Sequence, residues 1–234
     1  MDIIKLHSIF NSIQGEGLDI GKPTTFVRLA GCPFRCPYCD EPQAQTTKNA
    51  TKISFIDLAE KIAEKSAYGN RLIEFTGGSP EAQPELFEFV RYMKDNFSIN
   101  CNFTIQISGG IPIEKDDVGL FFRVKADYKN EVLVGFKNRF DYTLLNCLDE
   151  IKFVIDTYNI NEDLKSVLDV AQYTEAKLII TSMTKSEMSL IQEIKSWKYL
   201  TESVMENEDF EKYMNRIVLL PRLQQLYWPN IKNK

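Results

Sequence analysis

Two rhythms of apolar residues alternate along the chain. Short runs at Phe26–Ala30, Arg71–Phe75, Asn102–Ile107, Leu120–Ala126, Glu150–Ile155, Lys177–Thr181 and Ile217–Leu220 read as strands, and Ile4–Phe10 alternates more weakly in the same way. Between them the spacing turns helical. Ser54 suits an N-cap, Asp57 follows at the third helical position, and Phe55, Leu58 and Ile62 keep one face apolar. Pro84–Asp95 places Leu86, Phe87, Val90 and Met93 on one stripe, and Glu162–Gln172 and Ser186–Trp197 read as two more helices. The Gly-rich, polar stretch Ser12–Pro23 reads as a loop, and the tail runs out through Pro221–Lys234. Strands alternating with helices imply βα units on a parallel sheet. About six parallel strands are too few for a closed eight-stranded barrel. The expected fold is therefore α/β, a partial, open βα barrel forming one domain over residues 1–234, with functional residues at the carboxyl ends of the strands.

Composition narrows the class. Hydrophobic residues make up 44% of the chain and aromatics 12%, enough for a sizeable core without a disulfide framework. A net charge of -5 argues against a general nucleic-acid or membrane-surface binder, though not against a local basic pocket. Met1–Ser8 is polar and charged, unlike a signal peptide, and no apolar run approaches the roughly 18 residues of a membrane span. A cytoplasmic protein is expected.

The five cysteines are unevenly spread. Cys101 and Cys147 stand alone in apolar company and are expected to be buried. Cys32, Cys36 and Cys39 fall within Gly31-Cys32-Pro33-Phe34-Arg35-Cys36-Pro37-Tyr38-Cys39-Asp40, spaced C-x3-C-x2-C after a strand. Three soft thiolates on a tight loop suit iron–sulfur ligation. On a four-iron cube they leave one iron without a protein ligand, open to a small molecule that cluster electrons can cleave. Structural zinc is the first alternative, but it wants four ligands, and the single histidine, His7, lies far off in sequence. A glutaredoxin-like Cys36-Pro37-Tyr38-Cys39 is the second, and it leaves Cys32 unexplained.

The spacing, with an aromatic residue before the last cysteine, resembles the signature of the radical S-adenosylmethionine (SAM) superfamily. That resemblance implies a [4Fe–4S] cluster on Cys32, Cys36 and Cys39, with Tyr38 near the adenine of SAM. Thr76-Gly77-Gly78-Ser79-Pro80 follows a strand. Read alone it is an ordinary strand-to-helix turn; in the superfamily this element binds the SAM methionine, so Gly77, Gly78 and Ser79 become candidate SAM residues. The superfamily usually ends the element in Glu, where this chain has Ser79, and Glu81 lies close by in sequence.

The front of the chain is more specific. Phe10-Asn11-Ser12-Ile13-Gln14-Gly15-Glu16-Gly17, Gly21-Lys22-Pro23 and Phe26-Val27-Arg28-Leu29-Ala30-Gly31-Cys32 resemble the 7-carboxy-7-deazaguanine synthase family. The likeness is nearly continuous over residues 8–40. It is patchier later, at Val124–Lys129, Glu150–Ile155, Leu219-Leu220-Pro221-Arg222-Leu223 and Tyr227–Asn230. It implies a radical SAM carbon–nitrogen lyase that converts 6-carboxy-5,6,7,8-tetrahydropterin to 7-carboxy-7-deazaguanine with loss of ammonia, on the queuosine route of tRNA modification. SAM would be regenerated, Mg2+ would assist, and a reductant such as flavodoxin or ferredoxin would feed a cytoplasmic homodimer.

The resemblance makes Gln14, Gly15, Glu16, Arg28, Thr76 and Gln224 candidate substrate residues. It adds Ser108 and Lys129 to the SAM candidates. Arg28 suits a bidentate grip on the substrate carboxylate, and Gln14 and Glu16 suit a pterin's donor and acceptor edge. The plainer alternatives are a surface salt bridge for Arg28 and a solvated turn for Gln14–Gly17. The chain departs from the family at three places: Glu41-Pro42 where a Thr or Ser helps to hold Mg2+, Gln106-Ile107-Ser108-Gly109-Gly110 in place of E-T-N-G-S, and Gln224 in place of a histidine. Glu41 is therefore the Mg2+ candidate. Two rivals share these motifs: another radical SAM enzyme, either with a different small-molecule substrate or acting as an activase, and a non-catalytic cluster-binding homologue.

Overall fold

A computed structural model of the chain describes residues 2–36, 39–67, 69, 72–97, 100–129, 145–184 and 188–227. These form one sheet of nine strands. In chain order they are β1 (Ile3–Ile13), β2 (Pro23–Leu29), β3 (Thr51–Ser54), β4 (Leu72–Gly77), β5 (Asn102–Ile107), β6 (Arg123–Tyr128), β7 (Glu150–Ile155), β8 (Lys177–Ser182) and β9 (Ile217–Leu219). The order across the sheet is β3-β1-β2-β4-β5-β6-β7-β8-β9. From β2 to β9 neighbouring strands are parallel, while β1 runs antiparallel to both β2 and β3. The open α/β architecture matches expectation, with seven parallel strands where about six were expected.

Besides a single helical turn at Lys115–Val118, the helices are α1 (Phe55–Ser66), α2 (Glu85–Asn96), α3 (Ile160–Ala171), α4 (Leu190–Met205) and the short α5 (Leu223–Tyr227). Ser54 caps α1 by accepting a hydrogen bond from the Asp57 amide. Leu58 and Ile62 of α1 and Leu86, Val90 and Met93 of α2 are buried against the outer face of the sheet, where Val27, Ile73, Phe75 and Ile105 meet them. That face is conventionally apolar. Burial of such side chains, worth about 1.5–3 kcal/mol each before entropy is counted, holds the helices on the sheet.

Several boundaries differ from the sequence reading: β2 begins at Pro23 and not Phe26, β6 covers Arg123–Tyr128 and not Leu120–Ala126, and α5 forms within the expected tail. β1 extends to Ile13, into the expected loop, because Ser12 and Ile13 pair with Thr24 and Pro23. The turn that follows is closed by Gln14 N–H to Lys22 O and Gly21 N–H to Gln14 O, both 2.8 Å, with Gly21 at φ +83°. β3 was not expected: four residues carry too little pattern, and only pairing with β1 makes them a strand. α4 begins at Leu190, capped by Ser189 and Gln192 in a capping box, and runs on to Met205. Cys101 and Cys147 are half-buried instead of fully buried. Among the described residues no helix is long and apolar enough to cross a membrane.

Candidate active site

The inner face of the sheet is different in kind. Residues alternate along a strand, and in a parallel α/β sheet both faces are normally apolar. Here β4 turns Glu74 and Thr76 inward, β5 Thr104 and Gln106, β6 Arg123, Lys125 and Asp127, and β7 Glu150 and Lys152. These polar side chains bond to one another across the interior. They sit in a shell whose alternate residues, including Phe75, Ile105, Val124, Ala126 and Ile151, are fully buried. A polar interior within an apolar shell needs a ligand, water or ion pairs to satisfy it.

A cavity of about 170 Å3 opens at the carboxyl ends of these strands. Its wall includes Gln14, Gly15, Glu16, Arg28, Glu41, Thr76, Gly77, Gly78, Ser108, Lys129 and Gln224, all sequence candidates, together with Asp40, Glu74, Gln106, Asp127 and Lys152. A larger, more open concavity of about 760 Å3 lies between Leu168 and Tyr213 on the helical outside, away from the strand ends where this architecture does chemistry.

Charges on the wall are interlocked. Lys152 Nζ lies 2.5 Å from Glu16 Oε2 and 3.0 Å from Asp127 Oδ1. Lys129 Nζ lies 2.7 Å from Asp127 Oδ2, the Gln106 amide also donates to Asp127, and Gln224 Nε2 donates to Glu16 Oε1 at 2.8 Å. Burial alone would push the Asp127 carboxyl up and discharge Lys152. The ion pairs outweigh it, holding Asp127 well below the usual carboxylate range and Lys152 above the usual lysine range. One level down, Lys125 Nζ meets Glu74 Oε2 at 2.7 Å and Asp19 Oδ2 at 3.8 Å, and Arg123 Nε reaches Asp19 at 3.0 Å.

The N-terminal loop is fastened by this network. Leu18 N–H donates to Glu150 Oε2 at 2.6 Å, Glu16 N–H donates to Gln14 Oε1 at 3.2 Å, and Leu223 N–H donates to Gly15 O at 3.1 Å. Gln14 is 5% exposed, so the 14–17 segment is no solvated turn. Arg28 does form a salt bridge, 2.5 Å to Glu41 Oε2, but on the cavity wall and not on the outer surface. Its guanidinium also lies over the Phe10 ring.

The cysteine loop rises from the end of β2. Cys32, Cys36 and Cys39 are half-buried free thiols, and Cys39 N–H closes a turn onto Cys36 O at 3.1 Å. Burial pushes all three thiols up; neighbouring cysteines add to it at Cys32 and Cys36, and Asp40 adds to it at Cys39. Lys129 pulls Cys36 and Cys39 the other way, so these thiols face the cavity's cations. Among the described residues no three His, Cys, Asp or Glu side chains close on a single metal ion. Tyr38 lies outside the described residues.

Gly77 and Gly78 line the cavity on one side only. On the other, an added Cβ at Gly77 would run into the backbone of Leu29, and one at Gly78 into that of Gly31 and Ala44. Gly77 also sits at φ +131°, and Gly78 N–H and Ser79 N–H bond to Leu29 O and Gly31 O. The glycine pair therefore seats the turn against the root of the cysteine loop while exposing backbone to the cavity. Ser79 is 1% exposed, is not on the cavity wall, and donates to Ser108 Oγ at 2.9 Å. Glu81 accepts from Ser108 N–H at 2.6 Å and from its hydroxyl. The other Glu81 oxygen, Oε2, is buried and unpartnered, and burial pushes this carboxyl up.

Asp127, Lys152 and Glu74 were missed as site residues in the sequence. Their signal was available: β6 reads Arg-Val-Lys-Ala-Asp-Tyr and β7 Glu-Ile-Lys-Phe, a strict alternation that has no place in a strand apolar on both faces.

Comparison with known proteins agrees with this geometry. Residues 27–134 match the Radical SAM superfamily. A 7-carboxy-7-deazaguanine synthase from Methanospirillum hungatei is 31% identical over 187 residues, which cover 79% of this chain and 70% of that protein. One from Aquifex aeolicus is 32% identical over 166 residues, 70% of each. The crystal structure of QueE from Escherichia coli has the same fold, with a TM-score of 0.64 and 19% identity over 87% of this chain and 90% of that one. The chain belongs to the 7-carboxy-7-deazaguanine synthase family of the radical SAM superfamily.

Proposed function

We propose that this protein is the lyase that converts 6-carboxy-5,6,7,8-tetrahydropterin to 7-carboxy-7-deazaguanine with release of ammonia. The observation that carries this reading is the enclosed polar cavity beside a loop of three free thiols, with Gln14, Glu16, Arg28 and Gln224 already gathered on its wall. The donor set fits a [4Fe–4S] cluster: three soft, half-buried thiols on one loop, whose burial disfavours the thiolate form until a cationic core compensates it. The cluster would sit on Cys32, Cys36 and Cys39. With SAM bound, it supplies the one-electron chemistry that removes a hydrogen atom from the substrate.

The chain's own residues position and enclose. Arg28, its plane set by Glu41 and Phe10, faces the substrate carboxylate. Gln14, Glu16, Thr76 and Gln224 surround the bicyclic ring, and α5 with the 14–17 loop keeps water out. Gly77, Gly78, Ser108, Lys129 and Tyr38 are assigned to SAM. Ser79 cannot offer the carboxylate expected at its position. We assign that part to Glu81, whose Oε2 has no partner in the protein and suits an ammonium group.

A Mg2+ ion at Glu41 would compete with Arg28 for the same carboxylate, and magnesium titration of turnover reports which wins. A flavodoxin or ferredoxin as reductant, a homodimeric state, a single domain and a cytoplasmic setting complete the proposal. Anaerobic reconstitution with iron and sulfide, then incubation with SAM, dithionite and the carboxypterin, tests it. Ammonia and a deazapurine are expected, and Cys36→Ala removes the brown chromophore and all turnover. SAM cleavage without deazapurine assigns a different substrate; no cleavage by an intact reduced cluster assigns a non-catalytic role.

A further inference from the structure

Apart from Asp40, which is exposed, the carboxylates on the cavity wall differ in what is left over. Both oxygens of Glu16 are engaged, by Gln224 and Lys152. Both of Asp127 are engaged, by Gln106, Lys152 and Lys129. Glu41 holds Arg28 on one oxygen and has His7 at 3.9 Å from the other. Glu74 breaks the pattern. It projects from the middle of β4, in register with Phe26 on one side and Thr104 on the other, and is 1% exposed. Its Oε2 takes the ammonium of Lys125 at 2.7 Å and the Thr104 hydroxyl. Its Oε1 has no partner, although the residue lines the cavity.

A buried carboxylate oxygen left unmet is costly, and native interiors rarely hold one without a use for it. The Lys125 pair keeps the carboxylate in place whether or not a ligand is present. What remains is a fixed acceptor with no competing protein donor, on a cavity-lining residue two strand positions before Thr76, which is in register with Arg28. Such a group discriminates by hydrogen-bond polarity: it favours an N–H and repels a carbonyl oxygen in the same position.

We propose that Glu74 is a specificity-determining residue whose Oε1 accepts a hydrogen bond from the exocyclic amino group of the bound ring system. The proposal rests on the pterin assignment above and adds to it a contact that reads the 2-amino substituent. Pairing with Lys125 makes the acceptor rigid, and the Asp19 carboxylate 3.8 Å from Lys125 holds that lysine when Glu74 is altered.

Equilibrium dialysis tests this with the anaerobically reconstituted, SAM-loaded protein and two probes: the 2-amino carboxypterin and its 2-oxo analogue. Wild type is expected to prefer the amino compound by tenfold or more. Glu74→Gln presents an amide that accepts either group, and should bring the preference to within threefold, through weaker binding of the amino compound alone. Should Glu74→Gln fold poorly, Glu74→Asp keeps the charge for Lys125 while withdrawing the oxygens, and should lose the preference likewise. Thr104→Val, which touches only Oε2, should retain it. Equal weakening of both compounds by Glu74→Gln and Glu74→Asp, or an unchanged preference, overturns the inference and leaves the pterin assignment standing. If wild type binds neither compound, the substrate assignment falls and this contact falls with it.

Discussion

Lys152→Met puts the charged interior to its hardest test. The side chain is 13% exposed and bridges two carboxylates from distant parts of the chain, Glu16 on the N-terminal loop and Asp127 on β6. Methionine nearly conserves the length and removes the charge. Stranding one member of a buried pair costs about 3–5 kcal/mol. Neither carboxylate is wholly abandoned here: Asp127 keeps Lys129 at 2.7 Å and Glu16 keeps Gln224 at 2.8 Å. The lower end, about 3 kcal/mol, is therefore expected. In a protein of 234 residues that is a fall of roughly 6–12 °C in Tm.

Urea unfolding should show a lower midpoint with an unchanged slope. Combining Lys152→Met with Glu16→Gln should cost less than the two single changes summed, by about 0.5–3 kcal/mol, because the second removes a charge the first had stranded. The pH dependence has a definite sign. Asp127 is depressed in the folded protein, so its contribution is full above the unfolded carboxyl value of about 3.9 and is lost as the pH falls through the folded value. Lys152 is raised, so its contribution is full below the unfolded lysine value of about 10.4. The difference between wild type and variant should hence be flat from about pH 5 to 9 and shrink below pH 4. A loss under about 1 kcal/mol, strict additivity with Glu16→Gln, or a difference insensitive to acid would refute the reasoning.

Three other substitutions separate scaffold from site. Gly77→Ala drives a Cβ into the Leu29 backbone at a residue with φ +131°; a loss of at least about 2–3 kcal/mol, read as Tm, is expected, and a neutral result would mean that the turn has room to shift. Gly15→Ala meets chiefly the flexible end of Gln224, so stability should move by less than about 1 kcal/mol while pterin affinity, measured by dialysis, falls severalfold. Ser54→Ala removes the cap of α1 and should cost about 1 kcal/mol in urea unfolding while leaving the iron–sulfur chromophore at full intensity.

The outline of the fold was legible because the outer face follows ordinary rules. Asn102–Ile107 and Glu150–Ile155 are strands over the bounds the pattern gives, and Ser54 caps the helix it announces. What escaped depends on partners distant in sequence. Thr51–Ser54 is a strand only because Ile3–Leu6 lies beside it, and Ser12–Ile13 is extended only because Pro23 and Thr24 pair with it. At the site, cysteine spacing and the Gln14–Gly17 segment were legible because they are contiguous. Arg28's attachment to Glu41 and Ser79's withdrawal to Ser108 were not, since each depends on a side chain from another element.

The charged interior was legible in principle and shows what kind of site this is. Arg123, Lys125 and Asp127 at alternate positions of β6, with Glu150 and Lys152 of β7, conflict with a sheet covered on both faces, and that conflict points to a filled or solvated cavity. Once assembled, the cations Lys125, Lys129, Lys152, Arg28 and Arg123 all have carboxylate partners. A cavity whose charges are mutually satisfied attracts a ligand weakly through net charge. It selects through fixed hydrogen-bond polarity, because its dipoles are already oriented before the ligand arrives. In such a site the unmatched atoms add to the recognition assigned to Arg28, Gln14 and Gln224, and among the buried carboxylates described here those are Glu81 Oε2 and Glu74 Oε1.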